Sequence, residues 1–177
     1  GGGYSKALKE VITEAGENGQ IFCAAAGNSG SNNDSKPHYP SNYDCDNIIS
    51  VAASDRSDKL ASFSCYGENS VDLAAPGVSI LSLLPDNKTA SWSGTSMATP
   101  HVAGAATLFF AINPNATYTE VKNAIMSSVD EIPNFEGKMI TGGRLNVAKA
   151  LGKSTQSWLT VSPTKGIIEM GESTNLT

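Results

Sequence analysis

Long apolar runs, basic clusters and paired-cysteine motifs are all scarce in this 177-residue chain, and each shortage removes a class of function. No stretch approaches the ~18 consecutive apolar residues that a bilayer-spanning helix requires. The opening Gly1-Gly2-Gly3-Tyr4 has no charged-then-apolar leader pattern and reads as the edge of a cut. Twelve Lys and Arg stand against 17 Asp and Glu, for a formal net charge of −5 with no basic run. That balance argues against a nucleic-acid footprint and against an electrostatic hold on acidic lipid, and leaves peptides or small molecules as the better-fitting partners. The three cysteines, Cys23, Cys45 and Cys65, lie too far apart for a CxxC metal or redox motif, and their odd number forbids complete internal pairing. Cys23, inside the apolar run 21–26, reads as a buried inert thiol. Cys45 and Cys65 either pair or stay free.

What remains is a globular composition, 40% hydrophobic and 16% charged, long enough for one compact domain with a real core. Gly, Ser and Asn are plentiful, which suits tight turns and functional surface loops. Four N-x-S/T sequons, at Asn33, Asn87, Asn115 and Asn175, suit a secreted eukaryotic protein, although a chain this rich in Asn, Ser and Thr carries some by chance.

From Tyr4 to about Gly16, Leu8, Val11, Ile12 and Ala15 recur at spacings of three and four, one face of a helix. Gln20 to Ala26, continuously apolar from Ile21 on, reads as a strand covered on both faces in a parallel sheet. Residues 27–46 are dense in turn formers and read as a long functional loop. Segments 47–53, 71–75 and 78–84 read as further strands that continue the sheet past the loop. Thr95 to Ile112 reads as the buried core helix, bounded behind by Asn113-Pro114, with Pro100 near enough to its start to be tolerated. A second helix is expected from Thr119, as N-cap, to Val129, and a short one from Asn146 to Leu151. Beyond Gly152, Trp158 to Val161 and Gly166 to Ile168 look like strands around a Pro163 turn.

The chemistry is concentrated in Ser93-Gly94-Thr95-Ser96-Met97-Ala98-Thr99-Pro100-His101-Val102-Ala103-Gly104-Ala105. It places Ser96 at the start of a buried helix, where unpaired backbone N–H groups and the helix dipole favour a developing negative charge. Gly94 lets a substrate approach closely. Any lone serine at a helix start is more simply a cap. The whole string, however, resembles the serine-nucleophile signature of the subtilisin-like (subtilase) family. The resemblance extends to Ala24-Ala25-Ala26-Gly27-Asn28-Ser29-Gly30, Ala61-Ser62-Phe63-Ser64, Val71 to Val78 and Gly143-Arg144-Leu145-Asn146, and fades beyond Leu151.

That resemblance implies an α/β fold, a mostly parallel sheet flanked by helices, here incomplete: residues 1–151 as the C-terminal portion of a catalytic domain, residues 152–177 as a linker and the start of a β-sandwich. It implies Ser96 as nucleophile and the Asn28 side-chain amide as oxyanion donor. Ala25, Ala26 and Gly27 would wall the pocket for the residue before the scissile bond, and Gly1 would belong to the substrate-binding strand. Ser93 and Gly94 would contact substrate, and Met97 would line the leaving-group side as an oxidation liability. His38 either reaches the pocket floor or is a solvent-exposed loop histidine. A structural calcium is implied, with Asp72 and carbonyls near Ser41 to Asp46 as a secondary site. Chemistry requires no cofactor. Implied partners are protein or peptide substrates, the N-terminal part of the catalytic domain and an inhibitory propeptide.

A serine hydrolase needs a base for the serine proton and a carboxylate to orient that base. His101, five residues past Ser96, resembles a helix residue outside the triad, and His38 matches no base motif. The chain alone is therefore expected to lack proteolytic competence. An α/β-hydrolase is the nearest enzyme rival, but Gly94-Thr95-Ser96-Met97-Ala98 lacks the final glycine of a G-x-S-x-G elbow, and the only later histidine is His101. A peptide-binding module working by strand addition is the non-enzymatic rival.

Overall fold

The computed structural model describes residues 2–152. Gly1 and the expected linker and sandwich strands of 153–177 lie outside the described residues. Helix α1 (Lys6–Glu17) is capped by Ser5, whose hydroxyl accepts from the Leu8 N–H at 3.3 Å. Strands β1 (Phe22–Ala25), β2 (Ile48–Ser54) and β3 (Leu73–Pro76) follow, then β4 (Ile80–Leu84) and β5 (Lys88–Trp92). Helices α2 (Thr95–Ile112) and α3 (Tyr118–Met126) precede the two-residue strands β6 (Asp130–Glu131) and β7 (Gly143–Arg144), and α4 (Val147–Ala150) ends the described chain.

The main sheet runs β1-β2-β3-β7-β6, parallel except for the β6–β7 pair. Its centre is built for burial: all seven residues of β2 are buried, so both faces must be covered. On one face Ile49, Val51 and Ala53 pack with Leu73, Ala75 and the buried side of α2 and α3, including Val102, Val121 and Ile125. On the other, Ile48 and Ala24 meet Ile12 of α1, while Ala26, Ala52 and Ala74 meet Phe135 and Met139. The alternation follows from the two-residue period of a strand. Alanine lines much of both faces, which lets α2 pack across β1, β2 and β3.

Two expectations are corrected. Segment 78–84 does not extend the sheet: β4 leaves it and pairs antiparallel with β5 in a separate hairpin, with Leu81 and Leu83 69% and 82% exposed. The turn between them holds Asp86 and Asn87 at positive φ, the conformation a tight hairpin needs. The cap of α3 is Thr117, not Thr119. Its hydroxyl accepts from the Glu120 N–H at 3.2 Å while the Glu120 carboxylate accepts from the Thr117 N–H at 2.7 Å, a reciprocal capping box. Thr117→Ala is expected to destabilise the protein by about 1 kcal/mol in urea unfolding, whereas Thr119→Ala should cost only a few tenths.

The cysteines stay free. Cys45 lies beside Thr13, with Sγ 3.4 Å from its Oγ1, while Cys65 is buried beneath Ser29, with Sγ 3.2 Å from its Oγ. Burial, with Asp72 adding to it, pushes the Cys23 thiol up to about 11, as an inert thiol requires. Asn33 has no exposed surface and spends its amide on the Ala26 carbonyl at 2.9 Å, so the folded chain cannot take a glycan there.

Candidate active site

Strand β1 ends at Ala25, and the chain turns at Gly27, which sits at φ +112°. Asn28 follows, exposed just beyond the strand's C-terminal edge, where open α/β sheets place their sites. Helix α2 starts alongside, with Gly94 as its cap residue and no side chain capping its first turn. The front turn therefore has donors to spare. Thr95 gives its N–H to Asn28 Oδ1 at 2.8 Å and its hydroxyl proton to the same oxygen at 2.9 Å. The Met97 and Ala98 N–H groups bond the Gly94 carbonyl. Among the described residues the Ser96 N–H has no acceptor, and the Ser96 side chain is exposed.

The Thr95 contacts fix the Asn28 amide. A main-chain N–H can only donate, so the atom facing Thr95 must be the carbonyl oxygen, and the NH₂ must point the other way. A Cβ on Gly94 would lie 3.5 Å from that nitrogen and 3.6 Å from Met97 Sδ, so the amide and the thioether bound one small space beside Gly94. Thr95 is fully buried, and its hydroxyl also accepts from the Gly27 N–H at 3.2 Å. One hydroxyl thus ties the end of β1 to the start of α2. Thr95 was not among the residues that the sequence marked. The signal was its place between Gly94 and Ser96, but its partners lie 67 and 68 residues away.

The other expected site residues fall around this centre. Ala25 joins Ser96 in lining an open groove of about 800 Å³, with Ile21, Cys23, Pro100 and Phe110. Ala26, expected to wall the pocket, does not line the groove: its side chain is fully buried in the core on the opposite face, its N–H is bonded to the Val51 carbonyl and its carbonyl accepts from the Asn33 amide. A Cβ on Gly27 would lie 3.0 Å from the His38 ring and 3.1 Å from Cys65 Sγ, so no larger residue fits. His38 is half-buried, with Nδ1 3.4 Å from Ser41 Oγ, and burial lowers its pKa. Ser93 is used structurally: its hydroxyl accepts from the Ser79 N–H at 2.9 Å.

Neither histidine is hydrogen-bonded to Ser96. His101 is exposed and donates from Nδ1 to the Met97 carbonyl at 2.9 Å. Five residues along a helix also turn it about 140° away from Ser96. Among the described residues no three His, Cys, Asp or Glu side chains are grouped to hold a metal ion, and no helix is long and apolar enough to cross a membrane.

The groove runs along an open sheet edge. Phe22 and Ala26 donate their N–H groups to the carbonyls of Asn47, just before β2, and Val51, so the alternate amides of Cys23 and Ala25 face away from that strand. Among the described residues no strand pairs with that side of β1.

Comparison with known proteins gives a consistent picture. The model of the subtilase family of S8 peptidases matches residues 1–157. The chain is 42% identical over 144 residues to thermitase of Thermoactinomyces vulgaris, covering 81% of this chain and 48% of that protein. It is 42% identical over 149 residues to subtilisin E of Bacillus subtilis, covering 82% of this chain and 37% of that protein. Among solved structures, the prenylagaramide maturation protease PagA superposes with a TM-score of 0.75 at 28% identity, covering 86% of this chain and 57% of that one. A structure of the subtilase cytotoxin SubAB assembly gives 0.74 at 32%, covering 86% and 55%. The chain thus spans about half or less of the length of these curated relatives.

Proposed function

The chain belongs to the subtilase family of serine proteases, and from that premise we infer that it supplies the nucleophile and the oxyanion donors of a secreted serine endopeptidase. Ser96 Oγ attacks the scissile carbonyl. The oxyanion that forms is received by the Asn28 Nδ2 and the Ser96 N–H; collapse of the tetrahedral species breaks the C–N bond, the amine leaves with the proton that the base took from Ser96, and the acyl-enzyme on Ser96 is hydrolysed by water to the acid and free serine. Carrying this reading is one observation: Thr95 holds the Asn28 carbonyl oxygen with two donors, so the amide NH₂ is fixed facing away from Thr95, next to Gly94, before any substrate arrives. Such preorganised donors act without reorganisation during reaction, which is why they accelerate it.

The base and the carboxylate that orients it come from a partner segment, the N-terminal part of the catalytic domain. The open edge of β1 and the groove beside it are where that segment docks, adding a strand to Cys23 and Ala25 and bringing an imidazole against Ser96. Without it, Ser96 has no group to take its proton, and the isolated chain is inactive. A peptide-binding fragment is the second reading, favoured by the lack of a hydrogen bond between either histidine and Ser96; trapping of Ser96 by a fluorophosphonate separates the two.

His38 sets pocket depth. Its ring and Cys65 fill the space a side chain on Gly27 would take, so the pocket for the residue before the scissile bond is short and suits small or medium apolar side chains. His38→Ala in the complete enzyme is expected to raise kcat/KM for Phe-containing peptides relative to Ala-containing ones by about tenfold. An unchanged ratio would remove His38 from the pocket.

A further inference from the structure

The expected secondary calcium site is built of oxygen, but its centre is a nitrogen. Asp72, at the start of the β3 region, is 8% exposed, and its Oδ2 accepts from the Ser50 N–H at 2.6 Å. It opens into a cavity of about 310 Å³ that also takes in Asp46, Ile48 and Lys122. Lys122 Nζ donates to the Asp46 carbonyl at 3.0 Å and to the Ile48 carbonyl at 2.6 Å. Burial raises the Asp72 pKa, while the Lys122 charge pulls it back down, so the ammonium and the carboxylate sense each other across the cavity.

The geometry leaves Lys122 little freedom to be elsewhere. Its neighbours on α3, Val121 and Ile125, have no exposed surface, so the helix is pinned to the sheet and the stem of Lys122 leads into the cavity. An ammonium is a compact charge with three donors, and two of them are spent on main-chain carbonyls that point to one spot. Calcium needs six to eight oxygens at about 2.3–2.6 Å, and here it would share its carbonyls with a like charge. The residues present do not fit a calcium while Lys122 is in place.

We propose that the Lys122 ammonium is the resident cation of this site, joining α3 to the start of β2 and balancing Asp72, so that this part of the fold needs no calcium. The carbonyls of Asp46 and Ile48 and the carboxylate of Asp72 are a cation-receiving set that the chain fills from its own sequence. Deleting the charge while keeping the stem opens the set to a metal.

Calcium-induced shifts in thermal midpoint, measured on the full chain against chelator, test this with calcium alone as the probe. Wild type and Asp72→Asn are expected to respond equally. Lys122→Met is expected to melt lower in chelator and to gain several degrees more than wild type on adding calcium, a gain that Lys122→Met with Asp72→Asn loses. Lys122→Arg, which restores a charge, should respond like wild type. A calcium response in wild type that Asp72→Asn removes would overturn the proposal, and so would an equal response in wild type and Lys122→Met. Should Lys122→Met not fold, wild type and Asp72→Asn alone decide: equal responses support the proposal, and a larger one in wild type defeats it.

Discussion

Ser96→Ala in the complete protease is expected to lower kcat on the order of 10⁶-fold, a magnitude that belongs to the nucleophile of a subtilisin itself. The size of the effect follows from what the residue does. Replacing the hydroxyl removes the covalent route, and the base that would deprotonate it has nothing left to act on. KM should hardly move, because Ala25 and Gly27, the residues expected to wall the substrate pocket, are untouched. Residual hydrolysis above the uncatalysed rate should persist, since the oxyanion donors remain. A variant retaining more than about a hundredth of wild-type kcat would assign the nucleophile elsewhere.

Asn28→Ala is the second large effect, a loss of about 10² to 10³ in kcat with KM little changed, again the scale known from the oxyanion asparagine of a subtilisin. The amide acts on charge that exists only in the transition state, so its loss belongs in kcat rather than in binding. Steady-state kinetics on a peptide substrate check it. Thr95 offers a finer comparison. Thr95→Val removes the hydroxyl donor to Asn28 Oδ1 and the acceptor for the Gly27 N–H, but leaves the main-chain bond at 2.8 Å. Its cost should be smaller than that of Asn28→Ala and should vanish in the Asn28→Ala background. A full additive cost in that background would mean that Thr95 acts by packing alone.

How much of this was legible in the sequence depends on the range over which each feature is determined. The limits of α2 coincide with expectation because they are set locally, by Gly94 in front and Asn113-Pro114 behind. The start of α3 moved by two residues because Thr117 and Thr119 both offer a hydroxyl. Glu120 three residues after Thr117 is the deciding signal, since only Thr117 has a carboxylate at the spacing of a capping box. The β4 strand reads as core because it is leucine-rich, yet its partner β5 is polar and the pair stands off the sheet. Asp86-Asn87 was the hairpin signal there. Strands β6 and β7 are two residues each, too short for any periodic pattern. Arg144 on β7 is anchored by ion pairs to Asp58 and Asp130, and the hydrogen bonds on Asp130, from Lys149 first, hold that carboxyl down at about 2.

Site residues divide the same way. Ser96 and Asn28 were marked by local strings, and the structure brings both to one helix start through Thr95. Thr95 and Lys122 were not marked, because their partners are distant in sequence: Lys122 meets Asp46 and Ile48 across 76 and 74 residues. No local pattern encodes a contact of that range. His38 occupies the middle ground, since its loop was recognised but its contact with Gly27 depends on how residues 28–37 fold back.

Labelling with a fluorophosphonate, followed by mass mapping of the adduct, tests the central claim most directly. The complete protease should carry a single adduct on Ser96, and the isolated 177-residue chain, in which neither histidine is hydrogen-bonded to that serine, should label far more slowly. An adduct on any other residue, or labelling of the isolated chain at a rate comparable to that of the complete enzyme, would contradict the account.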